Sequence, residues 1–154
     1  MTVTELAILV LNPGATLPSP ELSPHFALLA SRQSEWSGHP LRFYTQGQKI
    51  ILLSGWMDVP AHYAWIASEG NQELLKLLTP HLNIELMVHL DVPFERVPDF
   101  EELVLDEVND TNIGTQDIIG SDVEGKDARR WSIADAASVK EQDGPKVVWK
   151  KVHT

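Results

Sequence analysis

KIILLSGWMDVPAHYAWIASEGNQELLKLLTPHL, residues 49–82, is the stretch whose reading decides the fold. Its opening apolar run, Ile50-Ile51-Leu52-Leu53, suits a buried strand and is too short for an ordinary helix. Ser54-Gly55-Trp56 closes that strand. Asp58 then stands at a helix N-cap position, with Pro60 in the first turn, where a missing N–H is harmless. His62, Trp65 and Ile66 follow at i, i+3 and i+4 and share one helical face. A second helical pattern, Leu74, Leu75, Leu77 and Leu78, is capped by Asn71 and stopped by Thr79-Pro80. The stretch therefore reads as a strand followed by a split helix.

Working outward, Glu5–Leu11 (ELAILVL) is a continuous apolar run that predicts a strand buried on both faces. Asn12-Pro13-Gly14 breaks it. Ser23 caps a helix with Pro24 at its first position, and Phe26, Leu29 and Ala30 form its apolar stripe to about Glu35. Leu41–Thr45 predicts a strand, joined through Gln46-Gly47-Gln48 to the strand that opens at Lys49. Ile84–Val92 alternates, with Ile84, Leu86, Val88 and Leu90 on one face and Glu85, Met87, His89 and Asp91 on the other. Strand, helix, strand, strand, helix, strand is the split βαβ arrangement. It predicts an α+β, ferredoxin-like domain over residues 1–92, with a four-stranded antiparallel sheet and helices on one face. The other sheet face would be bare and apolar, which calls for a two-fold partner packing against it.

Beyond Pro93 the patterns are shorter. Glu101–Val108 reads as a strand or short helix, Asp110–Lys126 as loop, Ser132–Val139 as a helix capped by Ser132. Lys146–Val152 reads as an edge strand whose lysines discourage further pairing. Scattered apolar residues, among them Val104, Ile118, Trp131 and Trp149, are too many for a disordered tail. Residues 93–154 are thus expected to form an extension that wraps the core or the partner subunit.

The chain has 154 residues, enough for one domain with a sizeable core, and an ordinary 43% of hydrophobic residues. The net charge of −10 is unevenly placed. Residues 91–127 hold 12 acidic and 2 basic side chains, whereas residues 128–154 hold 3 acidic and 6 basic. Such an acidic segment repels nucleic-acid backbones and anionic membranes, and neither is expected as a partner. No apolar run approaches the roughly 20 residues that cross a bilayer. Met1–Leu11 lacks a basic start and carries Glu5, so it does not read as a signal peptide. Cysteine is absent, which excludes disulfides and thiolate metal sites and fits a cytoplasmic setting. No histidine pair has helical ligand spacing, and no Gly-rich phosphate loop or Gly-x-Ser-x-Gly elbow occurs. No cofactor is expected.

Gly55-Trp56, the run Ala61-His62-Tyr63-Ala64-Trp65-Ile66-Ala67-Ser68, the helix Glu73–Leu78 with its closing Pro80, and the strand bearing His89 together resemble the dimeric α/β barrel superfamily. The nearest likeness within it is to antibiotic-biosynthesis-monooxygenase-like domains, including fungal ones; here the C-terminal extension lies outside the usual domain. The resemblance covers about three fifths of the chain and implies a homodimer with a small-molecule cavity between helices and sheet. Family activities include cofactor-independent oxygenation of aromatic polyketides, cyclisation, isomerisation, lyase chemistry and haem degradation. The last is disfavoured: no iron-ligating histidine follows Trp65 at the family spacing, and the first strand lacks the family's asparagine.

On that footing, His62 and His89 are the candidate proton-transfer residues, since a histidine near neutral pKa can serve as a general base on a phenol or activated methylene. Trp56, Trp65, Tyr63, Tyr44 and Phe43 are candidates for binding a flat aromatic substrate. The plain alternatives are core packing for the tryptophans, a capping role for His62 and an interface role for His89. His25 and Trp36 flank the first helix near the expected mouth. The expectation is an enzyme of specialised, polyketide-like metabolism, acting as a cofactor-free monooxygenase or as a cyclase or dehydratase. The alternative is a non-catalytic ligand-binding or stress-related dimer.

Overall fold

A computed structural model describes residues 2–108, 118–139 and 146–154. The first six elements follow the predicted order: β1 (Val3–Leu11), α1 (Ser23–Ser37), β2 (Arg42–Gln46), β3 (Lys49–Trp56), α2 (Val59–Ile66), α3 (Glu69–Leu78) and β4 (Leu82–Leu90), with the split helix counted as two. Asp58 caps α2 as expected, its carboxylate accepting from Ala61 N–H at 2.8 Å. The cap of α3 is Ser68 rather than Asn71: its hydroxyl accepts the Asn71 N–H, while the Asn71 side chain donates to Ile66 O. Ser23 lies inside α1 and makes no cap.

Four expectations are corrected by the fold of residues 93–154. The sheet has eight strands among the described residues, not four. The additional strands are β5 (Glu102–Glu107), β6 (Ile118–Ser121), β7 (Arg130–Asp135) and β8 (Trp149–Val152). The expected helix at Ser132–Val139 is β7 followed by one short 3-10 turn, because Trp131 and Ile133 alternate inward at strand period against β5. The expected edge strand at 146–152 is interior: β8 pairs with β2 on one side and β5 on the other. Part of the expected loop is β6. Residues 110–117 of that expected loop lie outside the described residues.

The strand order is β4-β1-β3-β2-β8-β5-β7-β6, antiparallel in every pairing. The first four strands keep the 4-1-3-2 order of the split βαβ unit. The sheet curls until β6 reaches β4, where Leu90 and Asp122 form a bridge and Val123 N–H donates to His89 O at 2.7 Å. Gly120 is required at this seam, since a Cβ there would stand 2.8 Å from Val92 Cγ2. The chain thus closes on itself as a barrel.

Two cores result. Ala7, Leu9, Phe43, Ile50, Leu52 and Trp56 face α1–α3 and meet Phe26, Leu29, Trp65 and Leu74. Leu6, Ile8, Tyr44, Ile51, Leu53 and Val88 face into the barrel and meet Leu103, Trp131, Ile133 and Trp149. The sheet face predicted to need a twin is therefore covered by the extension of the same chain. The physical argument for a partner on that face, a bare apolar surface, no longer applies.

Candidate functional site

The polar residues of the helix-facing side lie in one row. In the sheet register Glu5 of β1 stands opposite His89 of β4 and opposite Ser54 of β3. All three are buried in an otherwise apolar surface. Gln33 of α1 and His62 of α2 roof the row, and Trp56, at the end of β3, flanks it. Isolated buried polar groups cost several kcal/mol, so this concentration demands mutual partners.

Most are satisfied. Glu5 Oε1 accepts from Trp56 Nε1–H at 2.8 Å and from Gln33 Nε2–H at 3.3 Å, and lies 3.4 Å from His62 Nε2. His62 Nδ1 meets His89 Nε2 at 2.6 Å, and His89 Nδ1 meets Glu124 Oε1 at 2.9 Å. Glu124 belongs to the turn after β6, in the extension. Its other oxygen accepts from Tyr63 OH and from the Lys126 ammonium, each at 2.9 Å. Trp56 stacks on His62 with ring centres 4.6 Å apart. Ser54 Oγ is buried with no hydrogen-bond partner among the described residues, a spare polar group beside Glu5.

The electrostatics follow from depth. Burial pushes the Glu5 carboxyl up from 4.5 to about 7, against the pull of the Trp56 and Gln33 hydrogen bonds. Burial, with His89 adding to it, pushes His62 down to about 3, so its imidazole stays uncharged at neutral pH. At the surface the Lys126 ammonium, with Tyr63 and His89, holds Glu124 at about 2 as a carboxylate. Because that carboxylate can only accept, His89 presents Nδ1–H to it. One proton on each ring then places His62 Nδ1–H toward His89 Nε2 and leaves His62 Nε2 bare toward Glu5.

Of the residues singled out from sequence, His62 and His89 are in direct contact, with Trp56 against them and Tyr63 at the outer end. Trp65 is separate, one turn beyond His62 on α2. Its ring meets that of Trp36, one turn beyond Gln33 on α1, at 5.6 Å between centres. These two indoles, with Arg32, Glu35, Ser68 and Gly70, line a cleft of about 350 Å³ between the helices. Phe43 packs on Phe26 in the helix-side core. Tyr44 points into the barrel, where its hydroxyl donates to Phe100 O at 2.8 Å, so it lies across the sheet from the histidines. His25 stacks near His81, away from this row.

Glu5, Ser54, Gln33 and Glu124 were not singled out from sequence. A signal existed for the first two: Glu5 opens ELAILVL and Ser54 ends IILLS, both on the helix-facing side of their strands. Gln33 and Glu124 had none, since each is defined by a partner 28 or 35 positions away. A second cleft, of about 570 Å³, lies at the barrel seam and is lined by Asp91, Val92, Pro93, Arg96, Ile118 and Ile119.

No family model and no curated protein matches the chain. Two solved structures resemble it. A structural-genomics protein designated YJCS matches with a TM-score of 0.50 at 17% identity, over 60% of this chain and 99% of its own. A Chloroflexus aurantiacus J-10-fl protein, provisionally described as an antibiotic biosynthesis monooxygenase, has a TM-score of 0.44 at 14% identity, over 58% of this chain and 90% of its own. At these identities the likeness concerns fold: an α+β unit of about three fifths of the chain is shared with the first of them.

Proposed function

We propose that the protein is an enzyme that moves a proton on a hydrophobic, aromatic small molecule, with Glu5 as the general base and His62 as its proton partner. The observation that carries this reading is the row His89–Glu5–Ser54 under His62 and Gln33: an acid, two imidazoles and a hydroxyl with no partner among the described residues, enclosed in apolar surroundings. A carboxyl held near 7 is matched to proton abstraction at neutral pH, whereas His62, held near 3, is too weak a base to act alone. The role given to His62 from sequence thus passes to Glu5, with His62 accepting from it. The substrate approaches by the cleft between α1 and the α2–α3 corner, where the exposed Trp36 indole, packed against the buried Trp65, offers a face for a flat ring. Cofactor-independent oxygenation, cyclisation and dehydration all begin with such a deprotonation. Every group of the site comes from one chain, so a homodimer is not needed to complete it.

The test is hydrogen–deuterium exchange in D2O at the activated C–H of aromatic 1,3-diones and hydroxynaphthalenes, followed by NMR. The native protein accelerates exchange of at least one probe, and Glu5→Gln lowers that rate by about 10²–10⁴-fold. Equal rates for native protein and Glu5→Gln exclude the assignment.

One observation favours a second reading, a non-catalytic ligand-binding protein. The space between helices and sheet is filled by Trp56, Phe26, Phe43 and Leu74, all 1% exposed or less. Under this reading the probes quench tryptophan fluorescence on binding, and exchange stays at the rate of free solution.

A further inference from the structure

We propose that His89 and Glu124 form the exit line for the proton, so that the C-terminal extension completes the site instead of only covering the sheet. The line runs Glu5, His62, His89, Glu124, and ends at solvent beside Tyr63 and Lys126. It rests on the reading of Glu5 as a base.

The geometry has one direction. The contacts are 3.4 Å from Glu5 Oε1 to His62 Nε2, 2.6 Å from His62 Nδ1 to His89 Nε2, and 2.9 Å from His89 Nδ1 to Glu124 Oε1. Each imidazole offers one nitrogen to the neighbour on either side, so each ring can accept at Nε2 while it donates at Nδ1. Both histidines are buried, whereas the Glu124 side chain is one-fifth exposed and Lys126 is largely exposed. The line therefore joins an enclosed carboxyl to water. Glu124 is fixed by three groups, the His89 ring, the Tyr63 hydroxyl and the Lys126 ammonium. Lys126 also donates to Tyr63 OH at 3.1 Å. The backbone locks the two ends together, because Val123 N–H, adjacent to Glu124, binds the carbonyl of His89 itself.

The proton balance is simple. Glu5 carboxylate takes a proton from the substrate. That proton passes to His62 Nε2 as the Nδ1 proton of His62 joins His89 Nε2. The Nδ1 proton of His89 moves to Glu124 and then to water. Both rings now carry their protons on Nε2. Returning a proton to the product by the reverse path restores them, so the line suits reactions that remove a proton and later give one back. His89 and Glu124 do not touch the substrate; they are positioning and relay groups.

The experiment uses full-length protein with 15N-labelled histidine, native and Glu124→Gln, read by long-range 1H–15N NMR between pH 5 and 8. The same samples are assayed by deuterium exchange on the 1,3-dione probes. Glutamine keeps an acceptor for His89 and removes the charge. The expected result is Nδ1–H with bare Nε2 on both rings in the native protein, a shift of His89 and through it His62 in the variant, and exchange slowed about tenfold or more. Tyr63→Phe, which keeps the ring beside His62 and His89, and Lys126→Met loosen Glu124 and give smaller changes of the same sign. Nε2–H forms of both native rings, or His62 signals unmoved by Glu124→Gln, overturn the proposal. So does unchanged exchange in a variant whose histidine signals have shifted. If the native protein exchanges no probe while the ring signals follow the expected pattern, Glu5 is not a base for such substrates, yet the hydrogen-bonded line stands.

Discussion

The two faces of β1 carry opposite solutions to burial. Toward the barrel, Leu6 and Ile8 join an apolar core in which Tyr44 OH has its one hydrogen bond. Toward the helices, the same strand buries Glu5, and the neighbouring strands bury His89 and Ser54 in register with it. The barrel side holds the fold. The helix side gives up part of that stabilisation to keep a carboxyl and two imidazoles out of water, where burial raises the Glu5 carboxyl and lowers His62. A buried carboxyl and two imidazoles gathered on one face of a two-faced sheet are the difference between packing and a site.

The largest effects that sharpen this contrast lie in the barrel. Leu103→Ala leaves a void at a side chain 1% exposed and lowers stability by about 2–5 kcal/mol, seen as a lower urea midpoint. Unfolding stays a single transition, because Leu103 shares its core with Leu6, Leu53 and Val88 of the first four strands. Two separated transitions would show that the extension folds as an independent unit.

On the helix side the next effect depends on pH. The folded state holds the Glu5 proton to about 7, whereas the unfolded chain releases it near 4.5. Stability from this group is therefore fully present below 4.5 and is lost as pH rises through 7, by about 3 kcal/mol in all. His62 acts oppositely: lowered from 6.5 to about 3, it removes stability as pH falls through that window. Glu5→Gln deletes only the first contribution, so its melting temperature relative to native protein rises between pH 5 and 8. A pH-independent difference would place the Glu5 carboxyl in water.

Smaller effects mark the edges of the comparison. A Cβ at Gly55 would stand 2.6 Å from Phe94 Cγ, so Gly55→Ala costs about 1–3 kcal/mol by forcing the strap after β4 away from β3. Ser68→Ala removes the α3 cap and costs about 1 kcal/mol in thermal melts. Neither substitution touches the histidine line, and the NMR tautomer pattern stays native.

Most of residues 3–90 was legible locally. Runs such as IILL and the alternation of IELMVHLDV state strand and facing directly, and the Asp58-x-Pro60 cap places α2 within a residue. The pairing of His62 with His89 was approachable, since both fall at inward positions of elements already assigned. Phe43 and Tyr44 both stand as candidates in the sequence because local alternation does not say which side holds the helices; Phe43 takes that side and Tyr44 faces the barrel.

The sequence by itself determined the order of elements in the split βαβ unit, the Asp58 cap of α2 and the alternation of each strand, because those follow from contacts between residues a few positions apart. Tertiary structure alone decided that the extension becomes β5–β8, that it covers the face expected to meet a twin, and that Glu124 reaches His89. The reason is physical. Ser132–Val139 and Lys146–Val152 are short segments with weak local preference. Their conformation is set by β2 and β5, strands that lie dozens of residues away in sequence and supply both the hydrogen bonds and the apolar surface.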